Sequence, residues 1–211
     1  MKLLNSAHIE LLFVRLSASN PSPVTELHSL NAYTLLVATV LSAQMTDKGV
    51  NKASPALFAA ADTPQKMVSL GEEGLRFFIK TINLYPTKAK RIIALSQMLI
   101  DEFGGEVPSD RASLERLPGV GRKTANVVLN VAFGEATLAV DTHILRLAPR
   151  AGLSESVKPL DVERDLLRII PASFLKNAHH WLLLHGRYVC TARKPHCGEC
   201  CLNDFCPKNG L

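Results

Sequence analysis

Residues 117–133 read Leu-Pro-Gly-Val-Gly-Arg-Lys-Thr-Ala-Asn-Val-Val-Leu-Asn-Val-Ala-Phe. Pro118 keeps Leu117 out of helical geometry and so ends whatever helix precedes it. Gly119 and Gly121 permit positive φ and leave the backbone bare. The residues that follow open a helix, so several N–H groups point toward one place, where the positive end of the helix dipole helps to hold an anion. On this reading Gly119, Val120, Gly121 and Arg122 form a helix–hairpin–helix that grips a nucleic-acid backbone without reading its sequence. A plain tight turn between packed helices satisfies the same string, and these residues alone leave both readings open.

The helix after the turn adds a second feature. From Thr124 to Phe133 it is apolar except for Asn126 and Asn130, which predicts a helix buried nearly all round. Lys123 then lies in the first turn of a buried helix. Desolvation and the dipole both disfavour its ammonium, and a neutral amine is a nucleophile. Simple contact with a phosphate is the alternative. Eighteen residues on, Val140-Asp141-Thr142-His143 places a carboxylate before a helical stretch. Asp141 suits an N-cap; it also suits a carboxylate that takes a proton from an amine or opposes positive charge on a sugar. The roles are compatible. His143 reads as packed or exposed, and His179, His180 and His185 near Trp181 as helix-surface and core residues.

Outward from this hairpin, helical spacing continues along nearly the whole chain. Helices are expected at about Leu3–Ala18, Ala32–Ala43, Thr46–Ala60, 64–70, 72–79, Thr87–Phe103, Arg111–Leu117, 122–133, 142–150, 159–169 and 173–185. Thr63 before Pro64 reads as an N-cap followed by proline at the first helical position, and Asp110 as the cap of the hairpin's first helix. Gly104 and Gly105 stop the long helix. Ala136–Val140 is the one candidate extended segment, too short to build a sheet. The fold class is therefore all-α.

Near the C-terminus Cys190, Cys197, Cys200 and Cys206 set the spacing C-x6-C-x2-C-x5-C within 17 residues. Thiolates this dense in one loop point to a metal centre, either a [4Fe–4S] cluster or structural zinc. Only one short Cys-x2-Cys knuckle is clear, which tilts the reading toward iron. Cys201 is an alternative to Cys200, and two disulfides are the alternative to a metal. Disulfides need an oxidising compartment. The N-terminal residues do not read as a secretion signal, because His8, Glu10 and Arg15 interrupt the apolar run and Leu4, Ile9, Leu12, Phe13 and Leu16 follow helical spacing.

With 211 residues, 47% of them hydrophobic, the chain can bury one sizeable core or two small ones. It contains no stretch of about 18 uncharged apolar residues, so no membrane span is expected. The net charge of +5 suits a polyanionic partner without demanding one.

Taken in order, Leu41-Ser42-Ala43-Gln44-Met45-Thr46-Asp47, Leu117–Ala125, Val140–His143, His185-Gly186-Arg187 and the cysteine loop resemble the endonuclease III family, the bifunctional DNA glycosylases and lyases of base-excision repair. The resemblance covers essentially the whole chain. It implies a continuous six-helix domain, about residues 22–134 with the hairpin at about 111–133, and a second domain joining residues 1–21 to 135–211. DNA would cross the cleft between them, and the cluster loop would span 190–206. It implies that Lys123 is the nucleophile, that Asp141 is the catalytic aspartate, and that Cys190, Cys197, Cys200 and Cys206 hold a [4Fe–4S] cluster, with Cys201 a bystander. Gln44 matches the residue that fills the gap left by an extruded base, and Leu84 matches an apolar wedge. Ser42, Asp47 and His143 are the candidates for the base pocket. Arg193 and Lys194, between the first two cysteines, are placed to meet phosphate. Two departures stand out. Asn83 occupies a position where the pattern implies glycine, with Pro86 stiffening the same turn, and Ala148-Pro149 is expected to end its helix early.

The implied reaction removes a damaged pyrimidine from duplex DNA and cuts the strand 3′ to the lesion through a lysine Schiff base. The protein would act as a monomer in the bacterial cytoplasm. A monofunctional adenine glycosylase of the same superfamily would not need Lys123 and typically carries a further C-terminal domain. A DNA-binding module without catalysis, or an electron carrier, are the readings from other classes; the second leaves the hairpin unexplained.

Overall fold

Ala32–Leu41 contains no charged residue, and in the computed structural model, which describes residues 1–211, every side chain from Tyr33 to Leu41 is buried. This helix, α2, is fixed at its start by a reciprocal pair: the Asn31 side chain accepts from the Thr34 N–H, and the Thr34 hydroxyl accepts from the Asn31 N–H. Around it are arranged α3 (Asp47–Ala60), α4 (Pro64–Ile79), α5 (Tyr85–Phe103), α6 (Arg111–Arg116) and α7 (Arg122–Phe133). Together they form one compact unit, Thr25–Gly134, with a single apolar core that includes Leu36, Leu57, Met67, Leu75, Ile92, Leu95 and Val128. The Tyr33 hydroxyl pairs with Ser96 Oγ at 2.6 Å, so the one phenol in this core is satisfied.

Local chemistry places the helix starts. Thr46, Thr63 and Asp110 each accept from a first-turn N–H, as Thr63-Pro64 and Asp110 predict. The expected break between residues 70 and 72 falls at Gly71, whose φ of 72° interrupts α4. Gly104 ends α5 in the left-handed conformation. Leu117 is extended, with φ −68° and ψ 134°, as its proline neighbour requires.

The second unit joins Met1–Val24 to Glu135–Leu211. It contains α1 (Ser6–Ser19), α8 (Thr142–Arg150), α9 (Pro159–Ile169), α10 (Ala172–Tyr188) and a single 3-10 turn at Cys197–Glu199. Phe13, Phe174 and Trp181 form an aromatic cluster in its core, and the Trp181 indole N–H donates to the Asn20 carbonyl at 2.8 Å. The chain ends are tied together: Asn209 Nδ2 donates to the carbonyls of Lys2 and Pro149. Residues 136–140 form no strand, and no helix in the chain is long and apolar enough to cross a membrane.

Two expectations are corrected here. Pro149 does not end α8 early; the helix runs through Arg150, and Ala151 still donates to the Leu147 carbonyl. A proline in the last turn removes a single donor, and the turns before it are complete. Gly119 and Gly121 also differ from each other. Gly119 has φ +85°, and a Cβ there would stand 3.1 Å from Arg91 Cδ. Gly121 is extended, with φ −104° and ψ 178°, and a Cβ there would meet nothing within 4 Å. Gly119→Ala should therefore lower unfolding stability by about 1–2 kcal/mol, whereas Gly121→Ala should stay within about 1 kcal/mol of the parent. Denaturant unfolding of the two variants checks the contrast, and equal losses would contradict it.

Candidate active site and metal centre

The hairpin turn leaves α7 with an unusual start. Gly121 is its N-cap and supplies no side chain, so no capping side chain covers the N–H groups of the first turn. The turn is closed by a bond from the Val120 N–H to the Leu117 carbonyl at 3.0 Å, and Val120 itself is buried. The two hairpin helices are joined by Arg111, whose Nε donates to Asn126 Oδ1 at 2.9 Å. Asn126, one of the two polar interruptions in the apolar helix, is thus a buried link between α6 and α7.

Lys123 departs from expectation. The buried positions of α7 are Ala125, Asn126, Val128, Leu129 and Asn130, whereas Gly121, Arg122 and Lys123 are exposed. The packed part of the helix begins two residues after the lysine, at Ala125, and the lysine itself is exposed. The dipole of α7 remains at that end. Lys123 makes no hydrogen bond or ion pair within the protein. Its side chain is free to meet a ligand above the turn.

Gln44 and Leu84 share a backbone peculiarity. Of the residues other than glycine, only Gln44, Leu84 and Lys208 have positive φ, at 55°, 58° and 53°. A left-handed conformation costs a residue with a side chain about 1–2 kcal/mol. Both side chains are exposed, Leu84 at 57%. Ser42 is the C-cap of α2, and its hydroxyl donates to the Thr39 carbonyl at 2.8 Å. Asp47 stands in the first turn of α3. Ser42 and Gln44 thus lie in the short connection between α2 and α3, and Asp47 opens α3 directly after it.

In the other unit, Asp141 caps α8. One oxygen, Oδ1, accepts from the N–H groups of His143 and Ile144, both at 2.9 Å. This fixes the carboxylate and leaves Oδ2 uncommitted. His143 is half-buried, and its Nδ1 lacks a hydrogen-bond partner. Gly186 lets α10 approach α8 closely at this point: a Cβ there would lie 3.0 Å from the His143 carbonyl oxygen.

All five cysteines are free thiols. Cys190, Cys197, Cys200 and Cys206 line one small cavity together with Leu147, Arg150, His185, Val189 and Leu202; Cys201 does not line it. Nowhere does the chain gather three His, Cys, Asp or Glu side chains around a single metal ion. Burial pushes the Cys200 thiol up to about 11 and raises Cys206 as well, so a bound metal must displace their protons. The donor set fits an iron–sulfur cluster: four thiols ring an apolar cavity, and Arg150 Nη1 lies 3.6 Å from Cys190 Sγ, where it opposes thiolate charge.

Several residues that hold this loop were not singled out in the sequence. Arg146 donates from Nη2 to the Cys190 carbonyl at 3.0 Å, and Arg150 donates to the Thr191 carbonyl at 2.9 Å. Their i, i+4 spacing on α8 is the only sequence trace of this clamp. Arg15 of α1 forms a bidentate pair with Asp204 at 2.6 and 2.9 Å and donates to the Cys201 carbonyl. Cys201 therefore serves the loop through its backbone. His185 Nε2 is 3.5 Å from Cys200 Sγ, and burial pushes its imidazole down to about 4. Arg193 and Lys194 are exposed on the same loop.

Comparison with known proteins places this geometry. Residues 37–172 match the model of the HhH-GPD superfamily base excision DNA repair proteins, and residues 190–206 match the iron–sulfur binding domain of endonuclease III. The cofactor of this loop is a [4Fe–4S] cluster. Endonuclease III of Treponema pallidum is 62% identical over 211 residues, covering 100% of both chains. Endonuclease III of Escherichia coli K12 is 51% identical over 203 residues, 96% of each. A solved structure of endonuclease III trapped as a covalent intermediate with DNA superposes with a TM-score of 0.91 at 42% identity, covering 98% of this chain and 97% of that one. A thermostable thymine-DNA glycosylase shares the fold, with a TM-score of 0.82 at 22% identity. With its hairpin, its cysteine loop and near-complete coverage by such relatives, the chain belongs to the endonuclease III family of HhH-GPD base-excision DNA repair glycosylases.

Proposed function

We propose that the protein binds damaged duplex DNA, excises oxidised pyrimidines and cleaves the strand 3′ to the abasic site by β-elimination, with Lys123 as the nucleophile and Asp141 as the assisting carboxylate. The observation that carries this reading is Lys123 itself. It is exposed and unpaired, and it sits in the first turn of the one helix whose start is a bare glycine turn. A phosphate held by those first-turn N–H groups brings the sugar-phosphate backbone to the amine.

The chemistry follows from the residue types. The neutral Lys123 amine attacks C1′, and the C1′–N bond to the base breaks. The amine loses a proton and the sugar ring opens to a Schiff base. Its cationic nitrogen acidifies the C2′ proton, whose removal breaks the C3′–O bond. Asp141, held through Oδ1, presents Oδ2 to take the lysine proton or to oppose cationic charge. Gln44 and Leu84 fill the space of the extruded base and wedge the stack, Ser42, Asp47 and His143 line the base pocket, and Gly119–Arg122, Arg193 and Lys194 hold phosphates. Cys190, Cys197, Cys200 and Cys206 hold the cluster, which organises the loop that carries Arg193 and Lys194. The protein acts as a monomer in the bacterial cytoplasm.

Borohydride trapping on damaged duplex tests the central role. Lys123→Gln should abolish the trapped complex and both chemical steps while DNA binding survives; a trapped band at the parent yield would move the nucleophile elsewhere. A monofunctional glycosylase would show base release without any trapped band in the parent protein. Asp141→Asn keeps an oxygen for the α8 cap and removes the charge. Base release should slow by on the order of 100-fold or more, and full activity would reduce Asp141 to a cap. The metal centre has its own check. Purified protein should contain about four irons per chain, kept in Cys201→Ser and lost or diminished in Cys200→Ser; the opposite pattern in the two variants would contradict the ligand set.

A further inference from the structure

The loops that carry Gln44 and Leu84 are far apart in sequence, yet they are bonded to each other across 39 residues. Asn83 Nδ2 donates to the Gln44 carbonyl at 2.9 Å. Lys88, one turn into α5, donates from Nζ to the carbonyls of Leu41 at 2.8 Å and Ala43 at 2.6 Å. Lys88 is only 4% exposed, and burial lowers its pKa below the ordinary lysine range. The carbonyls at the end of α2 accept from its Nζ and so compensate the burial. No acidic side chain pairs with it. The interaction is a cation at a helix C-terminus, and that helix end leads straight into Gln44.

The placement of these bonds is specific. Each loop has a residue with a side chain in the left-handed region, Gln44 and Leu84. Local turn bonds hold each loop, among them Met45 N–H to the Ser42 carbonyl at 3.0 Å and Lys88 N–H to the Leu84 carbonyl at 3.0 Å. Nothing local fixes one loop against the other. Asn83 and Lys88 supply that link, and Asn83 acts on the carbonyl of Gln44 itself. Glycine, which the family pattern implies at position 83, has no side chain to do so.

We propose that Asn83 is a positioning residue that, together with buried Lys88, locks the Gln44 and Leu84 loops into one rigid jaw, so that the two side chains enter the duplex as a unit. The inference rests on the reading of Gln44 and Leu84 as inserted residues. It goes beyond that reading by assigning the coupling between them to this chain's own asparagine. A preformed jaw need not order two strained loops during base extrusion, and extrusion is faster for it.

The test is stopped-flow fluorescence with a base analogue beside the lesion, using the full-length cluster-loaded protein. Asn83→Ala should slow extrusion roughly threefold to tenfold, the range for one lost hydrogen bond. Asn83→Asp, which sets a carboxylate against the Gln44 carbonyl, should slow it at least as much. The melting temperature should move by only a few degrees. In a Gln44→Ala/Leu84→Ala background, Asn83→Ala should have little further effect, because both residues it positions are gone. Slow extrusion in Gln44→Ala and Leu84→Ala with parental extrusion in Asn83→Ala would overturn the jaw and leave the insertion reading intact. An undiminished Asn83→Ala effect in the Gln44→Ala/Leu84→Ala background would also overturn the jaw. Parental extrusion in Gln44→Ala and Leu84→Ala would remove the insertion reading and the jaw with it.

Discussion

Every helix must find partners outside itself for the N–H groups of its first turn, and most of these helices use a side chain next to them. Asn5, Asn31, Thr46, Thr63, Asp110 and Asp141 each accept from the helix they precede. Within the Thr25–Gly134 unit, two helices do without. α7 begins at Gly121 and α5 at Leu84, neither of which offers a capping side chain. A capped start has part of its donor set already used. The start of α7 is the place where an outside acceptor can be received, and the proposed phosphate grip occupies it; at α5 the Tyr85 N–H is bonded to the Ile82 carbonyl and Pro86 has no N–H, and that start carries the proposed wedge instead. The second unit uses its one catalytic candidate in the opposite way, with Asp141 both closing α8 and being held by it.

Much of this was legible from local sequence because capping and glycine chemistry are local. Thr63-Pro64, Asp110 and Asp141 each mark a helix start within four residues, and Pro118 imposes an extended Leu117 without tertiary help. The cysteine spacing pointed to a metal loop for the same reason: loop closure over so few residues costs little entropy.

What was not legible depends on where packing begins and ends. The apolar run of α7 implied burial of Lys123, but the packed stretch begins at Ala125 and the lysine stands clear of it. Gly119 and Gly121 look equivalent in sequence, yet only Gly119 has positive φ, and only there would a Cβ press on the Arg91 side chain. Ala148-Pro149 suggested an early helix end, yet α8 continues to Arg150, whose side chain reaches the Thr191 carbonyl and the Cys190 sulfur. The bond from Asn83 to Gln44 spans 39 residues, and Lys88 is a charged residue inside a core. No periodicity announces either. Both become visible only once the end of α2 and the start of α5 are brought together.

The central claim is that catalysis runs through the amine of Lys123. Reducing the reaction on damaged duplex with borohydride, digesting the trapped protein and locating the sugar adduct by tandem mass spectrometry reads the bonded atom directly. The adduct should map to the peptide that contains Lys123, on its Nζ. An adduct on another lysine, Lys88 among them, or on the N-terminal amine would contradict the assignment.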